Sequence, residues 1–267
     1  MERSRRRFFK DAGAAALGMG YGLPLLGAGC SFSEEGTHTE LDPTKQWAMV
    51  IDIEKCLRDE VRTICVEACN RAHNIPDIPD PDEEIEWIWT EKYEHVFDDQ
   101  IHARTPHDVL EAPVLVLCNH CDKPPCVRVC PTQATWKRES DGVVMMDMHR
   151  CIGCRYCMAA CPYGSRSFNW RNPQEFIAKD ANGEYPSDFP TRSRGVVEKC
   201  NFCVERIREG LQPACVEAAN GVSGGEGALT FGDLGDPDSA VSRILHDTHT
   251  ITRRHSLGTG PNVYYII

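Results

Sequence analysis

An α+β fold is expected, built of tandem small modules separated by long irregular insertions. Three observations predict it. Fifteen cysteines in 267 residues gather into groups. Four short apolar runs, Trp47–Ile53, Val114–Leu117, Val143–Asp147 and Val196–Lys199, each lead into one of those groups, which makes an internal repeat of strand, cysteine loop and helical turn. Between the repeats stand the stretches 70–113 and 163–195; the second is rich in turn residues and shows little alternation.

The two middle repeats are complete. CNHCDKPPCVRVCP places cysteines at 118, 121, 126 and 130, and CIGCRYCMAACP places them at 151, 154, 157 and 161. The second run has the Cys-x2-Cys-x2-Cys-x3-Cys-Pro spacing of bacterial two-cluster ferredoxins, and the first differs only by a longer middle gap. In such runs three thiolates hold one [4Fe–4S] cube while the fourth reaches the cube of the partner motif. The expected sites are therefore Cys118, Cys121, Cys126 and Cys161 for one cluster, and Cys151, Cys154, Cys157 and Cys130 for its twin. The modules are thus bacterial-ferredoxin-like, with metal binding supplying much of the folding free energy. Zinc on the Cys-x2-Cys pairs would leave the third and fourth cysteines of each run unexplained.

The outer repeats are degraded. The fourth has Cys200, Cys203 and Cys215, with Ala219 where a last ligand would fall. The first has Cys56, Cys65 and Cys69, with Asp59 near the second ligand position. Reciprocal ligation gives a third cluster on Cys200, Cys203, Cys215 and Cys69, and leaves the opposite site two thiolates short. Three clusters are therefore expected, not four. Cys56 and Cys65 remain, either as a disulfide in an oxidising compartment or as a degenerate site completed by Asp59.

The first thirty residues read as an address. Ser4-Arg5-Arg6-Arg7-Phe8-Phe9-Lys10 fits the twin-arginine export pattern, and residues 12–29 are uncharged with six glycines and Pro24. That is a poor spanning helix but a good signal core. A periplasmic location is expected. Cys30 could be lipidated, lost on cleavage or kept on a tether; residues 31–45 read as a linker, and 46–267 as the working domain. Within that domain, 46–69 with 196–220 would form the outer module, 114–162 the inner one, and 221–267 a tail. Residues 1–30 hold five basic and two acidic side chains, so a chain of −11 carries −14 beyond them. Such acidity argues against a nucleic-acid partner.

Residues Asp77 to Asp99 hold ten acidic side chains and one lysine among Trp87, Ile88, Trp89, Tyr93 and Phe97. They are either a solvated face that packs its aromatics inward or a docking surface for a basic partner. The 163–195 insertion, with Phe168, Trp170 and Phe176, would cover the cluster pair. His120, between two ligands, is expected to face outward. GALTFGDLGDPDSAVSRILHD predicts a strand and then a helix opened by Asp-Pro-Asp-Ser, and the final residues a terminal strand. No nucleophile elbow, phosphate loop or dinucleotide fingerprint occurs, so no catalytic residue is assigned.

With these motifs, the FGDLGDPDSAVSRIL and LGTGPNVYYI tail phrases and the export signal together, the chain resembles the exported multi-cluster ferredoxin subunits of polysulfide, nitrite and dimethyl-sulfoxide reductases. The degraded outer motifs, HNIPDIPD and EIEWIW are most similar to the ferredoxin subunits of dissimilatory sulfite reductase-associated (Dsr) transmembrane complexes. The resemblance implies electron relay in sulfur metabolism. It also implies a polytopic quinone-interacting membrane subunit, a multi-haem cytochrome c, and haem b and iron–sulfur subunits as partners. An alternative is the matching subunit of a molybdopterin-type or nitrite reductase, and a more distant one a zinc- or disulfide-stapled exported interaction module.

Overall fold

A computed structural model describes residues 45–267. The expected export signal, Cys30 and all but the last residue of the linker lie outside the described residues. Chain order from there is β1 (Trp47–Asp52), α1 (Ile53–Cys56), α2 (Asp59–Ala72), β2 (Ile88–Lys92), α3 (Tyr93–Val96), α4 (His107–Leu110) and β3 (Pro113–Leu117). Then come α5 (Pro125–Arg128), β4 (Thr135–Lys137), β5 (Val144–Met146), α6 (Tyr156–Ala160), β6 (Ser167–Phe168) and β7 (Val197–Glu198). The chain ends with α7 (Val204–Arg208), α8 (Ala214–Asn220), β8 (Leu229–Asp233), α9 (Ala240–Asp247), β9 (Thr250–Ile251) and β10 (Val263–Ile266). Helices and short strands are mixed along the chain, as an α+β fold requires.

The largest sheet has the order β8-β1-β10-β9. Its centre joins the two ends of the domain: β1 runs parallel to β10, with Met49 opposite Val263 and Ile51 opposite Tyr265. The run WAMVID is nearly continuous in apolar residues because both its faces are covered. Met49 and Ile51 enter the main core, whereas Ala48 and Val50 pack against Val241 of α9. That helix starts at Ser239, whose hydroxyl accepts the Ser242 N–H at 3.1 Å, a side-chain N-cap directly after the Asp-Pro-Asp turn.

Three two-stranded ribbons carry the rest: β2 with β3, β4 with β5, and β6 with β7. The first decides how the acidic insertion is used. Pairing Ile88 with Leu117 and Trp89 with Val116 turns Trp87, Ile88 and Phe97 into the main core, where they are buried, with Trp89 and Tyr93 packed against it. The aromatics are anchors of this chain's own interior, and the inward-packing alternative is the one the structure adopts. Tail residues strap the first inner motif: Asp122 N–H donates to Gly260 O (2.8 Å), Lys123 N–H to Thr259 O (2.9 Å) and Asn262 N–H to Asn119 O (2.9 Å). Gly260 has φ +64°, and a Cβ there would stand 3.0 Å from Asp122 Cβ, so the strap closes only over glycine.

Candidate metal centre

Each cysteine loop follows a strand and precedes a helix, and the helices meet in pairs. α5 carries Cys126 and leads to Cys130; α6 carries Cys157 and leads to Cys161; the two helices pack together. This crossing carries the last cysteine of one motif to the other. Cys161, from the second motif, lines one cavity with Cys118, Cys121 and Cys126 of the first. Cys157 lies within electrostatic reach of Cys126 and Cys151. Cys151 accepts the Val197 N–H at 3.5 Å, which ties its loop to β7. Cys130 ends the turn after α5. Burial pushes its thiol up, but backbone N–H groups of Thr135, Thr132 and Ala134 and the Thr132 hydroxyl outweigh that and leave it below the usual thiol range. Cys130 and Cys154 are not among the sulfurs so joined.

The outer set follows the same rule on longer helices. In α2 the buried residues Val61, Cys65 and Cys69 recur every four positions, which lines them along one face. In α8 Cys215 and Ala219 are spaced alike and buried, and α2 packs on α8. Cys69 thereby faces Cys200, Cys203 and Cys215: burial raises its pKa well above the ordinary thiol value, and those three thiols raise it further. Cys215 is raised by burial and then by Cys203, Cys65 and Cys200. Cys118 lies within electrostatic reach of Cys200, so the first inner motif adjoins the outer set.

Most of these sulfurs are held in surroundings that disfavour a bare thiolate. Burial pushes Cys121 up to about 12, with Cys118 beside it adding to the effect, and Cys203 to about 11. Positive charge delivered by iron reverses that balance. The cavity shared by Cys118, Cys121, Cys126 and Cys161 has no carboxylate in its lining, a soft all-sulfur donor set of the kind iron–sulfur clusters take. Among the described residues, no three His, Cys, Asp or Glu side chains are placed to hold a single metal ion.

The loops themselves are bent to serve the sulfurs. His120, Arg155, Phe202 and Cys203 are non-glycine residues with φ between +43° and +63°, a left-handed conformation that costs of order 1–3 kcal/mol each. The bend aims amide hydrogens at sulfur, as in Phe202 N–H to Cys200 Sγ and Ala214 N–H to Cys203 Sγ, both 3.4 Å. Gly153, φ +70°, has no room for a side chain: a Cβ would meet Gly195 O at 2.3 Å.

Three sequence expectations change. His120 does not face outward; it is buried, stacks on Phe202 with centroids 3.7 Å apart, and accepts the Val144 N–H at Nδ1 (3.1 Å). Its pKa is lowered by burial and by Lys199, so it packs as a neutral ring. The Cys56–Cys65 disulfide is not formed. Both are buried free thiols; Cys56 Sγ donates towards Ala228 O (3.9 Å) and Cys65 Sγ towards Cys215 O (3.4 Å). Nor does Asp59 turn towards them. Its side chain is 87 % exposed and pairs with Arg62, because it sits in the first turn of α2, on the side away from Val61 and Cys65.

Two of the buried cations that sequence did not single out stand close to the cysteines. Arg166 is surrounded by Cys126, Cys157 and Cys118; burial disfavours its charge, but the thiols outweigh that and raise its pKa. It is held by Thr135 Oγ1 at 2.9 Å. Lys199 donates to the Val144 and Cys200 carbonyls. A lone basic residue carries no spacing signal, so only the fold reveals that both stand between cysteine groups.

Comparison with known proteins agrees with this site. Residues 114–176 match the family described as the 4Fe-4S dicluster domain. Over 98 % of this chain and 97 % of its relative, the sequence is 39 % identical to the Hdr-like menaquinol oxidoreductase iron-sulfur subunit 1 of Archaeoglobus fulgidus. With the iron-sulfur cluster-binding subunit of the menaquinone reductase of Nitratidesulfovibrio vulgaris it shares 36 % identity over 83 % and 88 % of the two chains. It is 34 % identical to the arsenate respiratory reductase iron-sulfur subunit ArrB of a Shewanella species, covering 82 % of this chain and 94 % of that one. The chain belongs to the family of iron–sulfur electron-transfer subunits of membrane-associated oxidoreductase complexes.

Proposed function

We propose that this subunit carries three [4Fe–4S] clusters in a row and relays single electrons, outside the cytoplasm, between a quinone-linked membrane subunit and a haem partner in sulfur metabolism. The observation that carries the relay is the convergence of Cys118, Cys121 and Cys126 with Cys161 of the following motif on one cavity. By the same exchange Cys130 would complete the site of Cys151, Cys154 and Cys157, and Cys69 that of Cys200, Cys203 and Cys215. When bound, such clusters supply reversible one-electron storage with no open coordination position. The chain's own part is to hold the sulfurs, exclude water and set the local charge.

The cluster of Cys118 would stand between the other two. Cys118 neighbours Cys200 on one side, and Cys126 neighbours Cys157 on the other. A fourth cluster is disfavoured by what fills its place: Cys56, Cys65, Ala219 and Tyr265 are all fully buried in one apolar core. The extracytoplasmic location and the sulfur-linked role rest on Ser4–Lys10 and on the resemblance to Dsr-type subunits. Among the described residues no helix is long and apolar enough to cross a membrane. The likeness to the iron-sulfur subunit of an arsenate respiratory reductase, over 94 % of that chain, supports a second reading, in which a catalytic reductase subunit takes the electrons; the subunits that co-purify separate the two.

Anaerobically purified protein should contain about twelve irons and twelve sulfides per chain, at four per cluster. Cys161→Ser should remove about four of each while leaving the second motif's own cluster visible by electron paramagnetic resonance. About sixteen irons in the unaltered protein, or loss of the second motif's cluster in the variant, would overturn this assignment.

A further inference from the structure

The surface over Cys151 and Cys154 differs in chemistry from the rest of the chain. Ile152 is 66 % exposed and Tyr156 62 % exposed, two of the three most exposed large apolar side chains among the described residues. Trp170 stands beside them: Arg155 lies over its ring at 4.6 Å and over that of Phe168 at 5.3 Å. The Gly195 carbonyl closes on Gly153, so Arg194, the residue before Gly195, lies on a loop that adjoins this one. Arg128 ends α5, the helix that packs on α6. All three arginines are exposed, and none forms an ion pair with a carboxylate among the described residues. This basic, aromatic island lies on a protein of net charge −11. Unpaired arginines round an exposed apolar centre have the make-up of an unoccupied interface.

We propose that this island docks an acidic redox protein, which exchanges one electron with the cluster of Cys151, Cys154, Cys157 and Cys130. The proposal rests on the cluster assignment above. Charge selects the occupant: an acidic partner is attracted by Arg128, Arg155 and Arg194, while the protein's remaining surface repels it, so productive encounters concentrate over Ile152 and Tyr156. The half-exposed Cys151 and Cys154 put the cluster edge directly beneath. Cys151, Cys154, Cys157 and Cys130 would hold the group that supplies one electron, and a ferric haem on the partner would take it and become ferrous, with no bond or proton moved.

Reduced holo-protein is mixed in a stopped-flow instrument with cytochrome c that is either succinylated, hence acidic, or native, hence basic. Arg155→Glu together with Arg194→Glu should slow the succinylated probe about tenfold or more, should weaken its salt dependence, and should not slow the native probe. Arg128→Glu alone should act in the same direction with a smaller effect. Equal rates for variant and unaltered protein with the succinylated probe, at full iron content, would overturn the docking proposal and leave the clusters standing. A missing cluster signal in the unaltered protein would instead remove the assignment beneath it. If the double variant loses binding to phosphatidylglycerol vesicles, or dissolves a salt-sensitive dimer, while its rate with the acidic probe is unchanged, the island serves lipid or a second copy and the proposal fails.

Discussion

The two ends of the cysteine row are built to opposite specifications. At one end Cys69, Cys200, Cys203 and Cys215 are all buried, on helices α2 and α8 and on a loop beside Trp87, His73 and Phe202. At the other, Cys151 and Cys154 are half-exposed beneath Ile152 and Tyr156. On the three-cluster reading proposed above, the first end keeps only half of a reciprocal pair, and Cys56, Cys65 and Ala219 beside it belong to the apolar core. The second keeps both halves and leaves its edge open. Electron transfer needs an exposed edge only where a partner docks, while everywhere else burial protects the cluster from solvent.

The strongest way to break the contrast is to attack the buried end through its ion pair. Arg192 and Glu198 are both 0 % exposed, with their charged atoms 2.5 Å apart, and Glu198 also accepts the Trp87 indole N–H at 2.8 Å. Arg192→Met would strand a buried carboxylate, at about 3–5 kcal/mol. Denaturant unfolding of holo-protein should show that loss, and the iron bound through Cys69 should be released first.

A smaller effect should sharpen the comparison electrically. Arg166 sits among Cys126, Cys157 and Cys118, where its charge favours the reduced, more negative form of the nearby clusters. Removing it as Arg166→Gln should lower their potentials by about 60 mV for each ~1.4 kcal/mol of lost interaction. The cluster of Cys69 should move less. A redox titration followed by electron paramagnetic resonance reads both, and an equal shift at every cluster would contradict this placement.

The least effect concerns pH. Burial, followed by Glu84 and Glu91, pushes Glu86 up to about 7. Its protonated form is favoured by folding, so its stabilising contribution is full below the ordinary carboxylate range near 4.5 and is lost as pH rises through about 7. Glu86→Gln keeps the neutral shape. It should raise the melting temperature at pH 8 more than at pH 5, and an equal gain at both would show that Glu86 stays ionised.

The cysteine spacing alone determined the pairing rule. It predicted that Cys161 would join the preceding motif, whose cavity it lines, because a Cys-x3-Cys step ends one helical turn later, facing away from its own loop. Apolar runs likewise marked β1, β3, β5 and β7, since short strands buried on their faces need little more than consecutive β-formers. Tertiary structure alone decided the rest. Whether Trp87 and Phe97 would face a partner or the interior depended on the register of β2 against β3, which local sequence does not encode. His120 was turned inward by stacking on Phe202, eighty-two residues away. Asp59 was turned outward by its position on α2. The loops that carry Arg155 and Arg194 were drawn together by the close approach of Gly195 to Gly153. Ligand spacing is local and survives in the sequence as a pattern; burial and the charge of a surface are sums over distant segments, and only the folded chain performs them.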